Sequence, residues 1–150
     1  MLTKLFALLQ KLSKTERSSE QPPAFDRERH LQLQELEKRL DYQFKDINLL
    51  NIALIHRSYA NEKNAKSVPD NERLEFLGDA VLQLCISDFL MKRYPDYAEG
   101  RLSKLRSSLV NEKPLAELAM EFNIGDYMLL GRGEENSGGR TKQSLLSNTL

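Results

Sequence analysis

Hydrophobic side chains recur every three or four residues along most of the chain, a spacing that predicts amphipathic α-helices. Beyond residue 26 the pattern marks a series of such helices, and the sequence contains neither an alternating strand pattern nor an internal repeat. Two predicted helices precede a central helix rich in acidic residues, and two follow it. Their apolar positions are Leu31, Leu33, Leu36 and Leu40; Ile47, Leu49, Leu50, Ala53 and Leu54; Leu102, Leu105, Leu109 and Val110; and Leu115, Leu118, Ala119 and Phe122. We therefore predict an all-α domain.

Residues that favour helix ends flank these segments. Asp46 and Asn111 are placed to accept hydrogen bonds from free backbone N–H groups as N-caps, and the first helix is expected to end near Asp41. The central helix must end before Pro95. Gly125 is the expected C-cap of the helix that follows Asn111.

The first 25 residues form a separate segment, an amphipathic extension followed by a polar linker with the pair Pro22-Pro23. The apolar run of the extension is much shorter than the ~18 apolar residues of a membrane-spanning helix, so we expect neither secretion nor a stable membrane partner. A transient membrane-surface contact, a partner contact and a loosely ordered extension all stay open. The domain itself is predicted to occupy residues 26–150.

Composition narrows the class of protein. The chain has 150 residues, 40% of them hydrophobic, which suits one domain with a real core. Basic and acidic residues number 22 each, so any contact with a nucleic acid has to come from local patches. Cys85 is the only cysteine and is expected to be a buried, reduced thiol in a cytoplasmic protein. His30 and His56 lie far apart in sequence, which argues against a zinc site.

The central helix carries the most informative chemistry, in the segment NERLEFLGDAVL that begins at Asn71. At about 100° per residue, Glu72, Glu75 and Asp79 fall within roughly a 60° arc, so three carboxylates share one helix face. The apolar residues of this helix point in nearly every direction, which predicts a buried helix. Buried like charges repel one another and need a cation, either Lys or Arg or a hard metal ion such as Mg²⁺ or Mn²⁺.

A structural interpretation of part of this pattern stays open. Glutamates in a first helical turn interact favourably with the helix dipole, and Asp70 or Asn71 is a suitable N-cap, so Glu72 alone requires no catalytic role. The other two acidic residues lie beyond the first turn on either side of Gly78. A glycine there indicates close approach of another backbone or of a ligand.

Two segments are basic enough to contact a polyanion, although basic helix faces are usually only solvated. One lies on the helix after Pro95, and the other is the glycine-rich stretch GRGEENSGGRTK from Gly131 to Lys142, which we predict to be a mobile loop. That stretch lacks the spacing and the Lys-Ser/Thr pair of a phosphate-binding P-loop. The candidate basic residues are Arg101, Lys104, Arg106, Arg140 and Lys142.

Five blocks of the chain resemble the catalytic domain of bacterial ribonuclease III. They are HRSYANE from His56, NERLEFLGDAVL from Asn71, YPDYAEGRLSKLRSSLVNEKPLAELA from Tyr94, LGRGEENSGGR from Leu130 and SLLSNTL at the end. The blocks occur in the family's order, and the resemblance as a whole covers nearly everything from about Leu36 to Leu150. The resemblance implies a helical endonuclease domain that forms a homodimer and cuts double-stranded RNA, leaving 5′-phosphate and 3′-hydroxyl ends.

The same resemblance implies roles for individual residues. Glu75 and Asp79 would be ligands of Mg²⁺, with Mn²⁺ as an alternative, while Glu72 and Glu99 would support the site or contact substrate. Phe76 resembles the family's dimer contact. The basic residues named above would contact the RNA backbone, and the family's role implies processing of rRNA, mRNA and tRNA precursors in the cytoplasm.

The last helix departs from the family's pattern. There the family supplies an Asp and, three residues later, a Glu, whereas this chain has Asn148 at the first position and would reach the second only at position 151. An amide oxygen is an uncharged ligand, so we expect a third metal ligand at Asn148 that binds Mg²⁺ weakly. The sequence stops within an apolar helical pattern and contains no double-stranded-RNA-binding domain, so we expect a truncated ribonuclease III.

Two other functions stay open. A catalytically silent relative would keep the fold as a dimeric RNA-binding protein or scaffold. A helical protein-interaction module without a role in RNA chemistry is favoured by the neutral net charge alone. Cleavage of an RNA duplex that depends on Mg²⁺ and on Glu75 or Asp79 separates the enzyme from both.

Overall fold

The computed structural model describes residues 25–63 and 68–150, which contain nine α-helices and one 3₁₀ turn. The helices are α1 (Arg27–Arg39), α2 (Ile47–Ala53), α3 (Arg57–Glu62), α4 (Glu72–Arg93), α5 (Glu99–Leu109), α6 (Glu112–Glu121), α7 (Ile124–Tyr127), α8 (Arg132–Asn136) and α9 (Gln143–Thr149), with the 3₁₀ turn (Gly139–Thr141) before α9. These residues contain no strand beyond one isolated bridge. The prediction of an all-α domain is confirmed.

Local signals set several helix ends where the sequence predicts them. Asp46 and Asn111 each accept a hydrogen bond of 3.0 Å from the backbone N–H two residues later, at the starts of α2 and α6. Asp41 follows α1 with a φ of 49°, a left-handed conformation that a helix cannot continue. The long helix α4 ends two residues before Pro95.

One hydrophobic core joins α1, α2, α6, α7 and α9. The small residues Ala116 and Ala119 are fully buried on α6, and α6 makes the most extensive helix contact of the fold, with α9. Small side chains permit this close approach. The buried members of the core are Leu33, Leu36, Leu50, Leu54, Ala116, Ala119, Ile124, Tyr127, Met128, Leu130 and Leu146.

The helix α4 is much more exposed than its composition predicts. Within the described residues Leu90 is its one buried residue, and α4 packs mainly along α5. Its exposed large hydrophobic residues are Phe76, Leu77, Val81, Leu84, Phe89 and Met91. The prediction of a buried helix is wrong for the single chain, because the described residues leave the outer face of α4 uncovered. Cys85 lies on that helix and is exposed as well, so the prediction of a buried thiol is also wrong.

A short backbone crossing brings together elements that are distant in sequence. Ile55 and Leu129 form an isolated parallel bridge, in which the N–H of Leu129 donates to the carbonyl of Leu54 at 2.8 Å. The N–H of His56 donates back to the carbonyl of Leu129 at 3.0 Å, and the N–H of Asn71 donates to the carbonyl of Ile55 at 2.9 Å. The starts of α3 and α4 therefore lie beside the segment between α7 and α8.

The glycine-rich stretch Gly131–Lys142 is not the loop that the sequence predicts. The helix α8 and the 3₁₀ turn occupy most of it, and Gly138 between them has a φ of 79°, which glycine adopts without strain. Gly125 lies within α7 and is not a C-cap. Asn123, with a φ of 55°, separates α6 from α7 instead.

The amino-terminal extension and linker predicted for residues 1–25 lie outside the described residues, except for Phe25, which packs against the core. The division of the chain near residue 26 therefore stays a prediction. No helix in residues 25–63 and 68–150 is both long and apolar enough to cross a membrane.

Candidate acidic site

A cavity of about 350 Å³ lies where the starts of α3 and α4 meet α9. The helix α4 contributes Glu72 and Glu75 to its wall, and α9 contributes Asn148 from the far end of the described chain. The other residues that line it are His56, Arg57, Ser58, Asn61, Asn71, Ser144 and Leu145. Two acidic residues that helix spacing placed on one face thus share a cavity with Asn148.

Hydrogen bonds and one close backbone contact fix the α3 wall of this cavity. The backbone N–H of Ser58 donates to Nδ1 of His56 at 3.2 Å, and the Oγ of Ser58 lies 2.8 Å from the same nitrogen. That Oγ also accepts the N–H of Gly131 at 2.9 Å. A Cβ atom at Gly131 would lie 2.7 Å from the carbonyl oxygen of Ser58, so glycine permits this approach. The next N–H, of Arg132, donates to the carboxylate of Glu62 at 2.7 Å.

The α9 wall is held by burial and by one arginine. Leu146 is buried in the core with 1% of its surface exposed, which anchors α9. Arg140 lies just before α9 and donates to three backbone carbonyls within residues 125–128, at 2.7 to 3.3 Å. Its guanidinium also pairs with Glu135 at 2.6 Å. These bonds fix the segment that leads into α9 and so position Asn148.

Repulsion between carboxylates shapes the electrostatics of the α4 face. Partial burial raises the pKa of Glu75, and the negative charges of Asp79 and Glu72 raise it further. Arg57 donates to Glu72 at 2.8 Å, and this hydrogen bond raises the pKa of Arg57. Both partners are more than half exposed, so their ion pair contributes little to stability. Among the described residues, Glu75 and Asp79 form no ion pair with Lys, Arg or His.

The oxygen atoms of Glu75, Asp79 and Asn148 are of the kind that binds a hard divalent cation, and the structure brings part of this group together. Carboxylate and amide oxygens are the ligands that Mg²⁺ prefers, and two unpaired carboxylates favour a cation. Asp79 lies one helical turn beyond Glu75 and is exposed, outside the residues that line the cavity. Residues 25–63 and 68–150 contain no group of three His, Cys, Asp or Glu side chains that could hold a metal ion. The single chain therefore brings Glu75 and Asn148 into one cavity, with Asp79 one helical turn away on α4.

Glu99, the fourth acidic candidate, lies at the other end of α4. It begins α5, where its carboxylate accepts a hydrogen bond from Ser103 at 2.6 Å, and it lines a different cavity together with Leu90 and Met91. At a rise of ~1.5 Å per residue, that part of α4 is roughly 20 Å from Glu75. A single chain thus does not bring Glu99 to the acidic cavity, and its role stays a prediction.

The basic candidates on α5 differ in their surroundings. Arg101 places its guanidinium carbon 3.7 Å from the ring centroid of Tyr97, which in turn stacks on Tyr94 at 4.7 Å. Lys104 is exposed. Arg106 donates to the hydroxyl of Ser87 on α4 at 2.8 Å, a contact that ties α5 to α4.

The basic candidates at the carboxyl end of the described chain have partners within the protein. Arg140 makes the carbonyl contacts and the Glu135 pair described above, and Lys142 pairs with Glu134 at 3.2 Å. Both contacts stabilise the segment around α8. Their predicted contact with an RNA backbone is untested.

Phe76, the predicted dimer contact, follows Glu75 on α4 and has 82% of its surface exposed. No large hydrophobic residue of the described chain is more exposed. It lies on the same helix as five other exposed large hydrophobic residues, and an apolar surface of this size is typical of an interaction site.

The residues His56 and Arg57 line the cavity but are not among the site residues that the sequence predicts. Both belong to the HRSYANE block. No sequence signal marks His56, because its position as the N-cap of α3 and its place beside the cavity become visible only in the fold.

Known proteins resemble this chain over most of its length. A family model described as Ribonuclease-III-like matches residues 46–150. The chain is 55% identical over 118 residues to the Ribonuclease 3 of Syntrophobacter fumaroxidans, covering 79% of this chain and 49% of that protein. It is also 51% identical over 115 residues to the Ribonuclease 3 of Geobacter sulfurreducens, covering 77% and 46% respectively.

A solved structure is similar over the same region. It is the nuclease domain of ribonuclease III from Campylobacter jejuni, described as showing structural flexibility in the region involved in dimer formation. The identity is 50%, the TM-score is 0.71, and the match covers 78% of each chain.

A helical fold with carboxylates at the start of its longest helix, and a family match over most of the sequence, define the class of protein. The chain belongs to the ribonuclease-III-like family. It spans about half the length of the curated relatives it matches.

Proposed function

We propose that this chain is an endoribonuclease that hydrolyses phosphodiester bonds of double-stranded RNA with the help of divalent cations. The observation that carries the proposal is the cavity in which Glu72 and Glu75 of α4 lie with Asn148 of α9. Two carboxylates near an RNA strand would repel it unless a cation intervened, and the same cation makes them useful for phosphoryl chemistry.

The metal proposed for this site is Mg²⁺, with Mn²⁺ as a substitute. Glu75 and Asp79 would be its charged ligands and Asn148 an uncharged one, while Glu72 and Glu99 would support the site or contact RNA. Bound there, the metal would lower the pKa of a water molecule and neutralise charge on the leaving oxygen. Burial and the charges of Asp79 and Glu72 raise the pKa of Glu75, and this supports the assignment because a nearby cation stabilises the ionised carboxylate.

The protein's own residues would orient the substrate. Arg57 holds Glu72 in place through the bond of 2.8 Å, which leaves Glu75 and Asp79 for the metal. Duplex RNA is recognised mainly through phosphates, 2′-hydroxyls and shape. Arg101 and Lys104 are the strongest candidates for phosphate contacts, because neither makes an ion pair among the described residues. Arg106, Arg140 and Lys142 have protein partners and would contribute less.

A homodimer is the second part of the proposal. The outer face of α4 exposes six large hydrophobic residues in the described chain, with Phe76 the most exposed. A second copy packing on this face would bury them, and the flexible dimer region described for the C. jejuni nuclease domain supports such an interface. Sedimentation of the 150-residue chain should show a dimer. A monomer at concentrations near 100 μM, about the level at which weak complexes form, would contradict this.

The cellular role that we propose is processing of rRNA, mRNA and tRNA precursors in the cytoplasm. It rests on family membership alone, which two relatives named Ribonuclease 3 at 55% and 51% identity support.

A catalytically silent RNA-binding protein or scaffold is the alternative function. Two observations favour it: Asn148 supplies no charge, and the described residues gather no group of three acidic or histidine ligands. An Asn148→Asp substitution separates the two functions. In an enzyme it should lower the Mg²⁺ concentration needed for half-maximal cleavage, whereas a silent scaffold would show no cleavage before or after the change.

The experiment that tests the proposal is cleavage of a long RNA duplex by the 150-residue chain in Mg²⁺ and in EDTA. Glu75→Ala and Asp79→Ala should abolish cleavage. The control is Glu117→Ala, which removes an exposed carboxylate of α6 that pairs with Lys113 at 3.9 Å and should leave cleavage intact. Cleavage that persists in EDTA, or that survives both α4 substitutions, would contradict the proposed site.

A further inference from the structure

The imidazole of His56 has a hydrogen-bonding pattern that defines which nitrogen carries its proton. The backbone N–H of Ser58 donates to Nδ1 at 3.2 Å, and a backbone amide can only donate. Nδ1 must therefore act as an acceptor. The ring proton lies on Nε2, an assignment that follows from the hydrogen bonds.

A second contact is compatible with the same tautomer. The Oγ of Ser58 accepts the N–H of Gly131 at 2.9 Å and lies 2.8 Å from Nδ1. The hydroxyl proton is then free to donate to Nδ1, whose single lone pair it shares with the N–H of Ser58. With the proton on Nε2, the donors run in one direction from Gly131 through Ser58 to His56.

The Nε2–H group has no acceptor among the described residues. Both hydrogen bonds of the ring involve Nδ1, which faces the first turn of α3. The ring lines the acidic cavity together with Glu72, Glu75 and Asn148. The edge remote from Nδ1, which carries Nε2, is therefore the edge that is available to a ligand.

A neutral donor meets a specific need in this cavity. An RNA phosphate has to approach Glu72 and Glu75, and the arginine of the cavity wall, Arg57, already donates to Glu72. A neutral N–H offers a hydrogen bond to a phosphate oxygen without competing with a cation for the carboxylates. The α3 cap holds it in place beforehand, so little ordering is required when RNA binds.

We propose that His56 is a substrate-binding residue whose Nε2–H donates to a phosphate oxygen of the RNA strand in the acidic cavity. This inference rests on the proposed function, because it takes RNA as the ligand. Its structural alternative is that His56 serves only to cap α3. The two roles use different nitrogens of one ring, so separate substitutions can remove them one at a time.

His56→Asn keeps the cap and removes the donor. Asparagine is among the best N-caps, and its side-chain oxygen can accept from the N–H of Ser58 in place of Nδ1. We expect a melting temperature close to that of the unsubstituted chain. Single-turnover cleavage of an RNA duplex should fall about 10- to 100-fold, the range expected for loss of a hydrogen bond to a charged group.

His56→Gln does the reverse, because its longer side chain places an amide N–H near the position of Nε2 while the short-range cap at Nδ1 is lost. This variant should melt at a lower temperature yet keep most of the cleavage rate at temperatures where it is folded. Ser58→Ala is a further control, since it removes the bonds of Oγ to His56 and Gly131 but leaves Nε2–H in place.

The outcomes separate the inference from the proposed function. If the unsubstituted chain cleaves and His56→Asn cleaves equally well, His56 is only a cap and the inference is wrong while the function stands. If the cleavage rates of all three variants follow their melting temperatures, the inference is wrong as well. If the unsubstituted chain neither cleaves nor binds an RNA duplex, the proposed function fails and the inference fails with it.

Discussion

The repulsion among the α4 carboxylates makes a prediction that requires no RNA. Burial and the charges of Asp79 and Glu72 raise the pKa of Glu75, so the folded chain carries strain at neutral pH whenever no cation is bound. Replacing Glu75 with Gln removes the charge and keeps the shape of the side chain. The variant should therefore be more stable than the unsubstituted protein in EDTA, an unusual direction for a substitution at a functional site.

The size of the effect follows from the helix geometry. Glu72 and Asp79 lie three residues before and four residues after Glu75, and like-charge pairs at these spacings each cost ~0.2–0.5 kcal/mol. Two pairs together cost about 0.4–1 kcal/mol, to which partial burial adds. For a chain of this size ~1 kcal/mol corresponds to about 2–4 °C in melting temperature.

The pH dependence has a definite sign. Because the pKa of Glu75 is raised, the folded state keeps the proton at pH values where the unfolded state has already released it. Stability therefore falls as pH rises from the ordinary value of 4.5 through the raised pKa, and the full penalty is present at pH 7. The stabilisation by Glu75→Gln should be seen at pH 7 and should be lost as pH falls well below the ordinary value of 4.5, where Glu75 is protonated in both states.

Thermal unfolding followed by circular dichroism, at one protein concentration and in EDTA, measures this effect. Glu117→Gln is the matched control, because Glu117 faces Lys113 and its neutralisation should lower stability slightly. Adding Mg²⁺ at ten times its dissociation constant should raise the stability of the unsubstituted chain by ~1.4 kcal/mol, and that of Glu75→Gln by much less. A Glu75→Gln variant less stable than the unsubstituted chain at pH 7 in EDTA would show that repulsion at Glu75 does not destabilise the fold.

Two further predictions concern the contacts that support the cavity. Gly131→Ala should lower the free energy of unfolding by about 1–3 kcal/mol in urea titrations, because a Cβ there would lie 2.7 Å from the backbone of Ser58. The control Gly133→Ala, whose Cβ would have no atom within 4 Å, should be neutral or stabilising. Equal effects of the two substitutions would disprove the close contact at Gly131. Arg140→Lys should lower the free energy of unfolding by about 1–3 kcal/mol in the same titration, because one ammonium group cannot reach three carbonyls and a carboxylate together. A change below ~0.5 kcal/mol would show that the hydrogen bonds of Arg140 are dispensable.

Local signals explain the part of the fold that the sequence predicted well. Asp46 and Asn111 cap helices through atoms two residues away, and Asp41 ends α1 through its own backbone conformation. Such effects depend on a few consecutive residues. The all-α class and several helix ends followed from them and from apolar spacing, whereas the short helices α3, α7 and α8 were not predicted.

Errors arose where structure depends on distant partners. The burial predicted for α4, and for Cys85 on it, assumed that apolar composition implies cover within the same chain, which the described residues do not provide. The sequence predicts a loop for the glycine-rich stretch Gly131–Lys142, but Arg140 and the pair of Glu134 with Lys142 stabilise it as helix and turn. These contacts cannot be deduced from glycine content.

The candidate site was predicted in part. Helix periodicity placed Glu72 and Glu75 on one face, and both line the cavity with Asn148, which the family resemblance had singled out. Periodicity could not show that α9 returns to the start of α4, because that requires the packing of α9 on α6. The place of His56 in the cavity wall was missed for the same reason, since three separate elements form that cavity.

Cleavage of a long RNA duplex by the 150-residue chain in Mg²⁺, compared with cleavage by its Glu75→Ala and Asp79→Ala variants, is the decisive measurement for the acidic site. We expect fragments with 5′-phosphate ends from the unsubstituted chain in Mg²⁺, and none from either variant or in EDTA. An unsubstituted chain that binds the duplex but leaves it intact in both Mg²⁺ and Mn²⁺ would contradict the proposed enzyme and favour the silent scaffold.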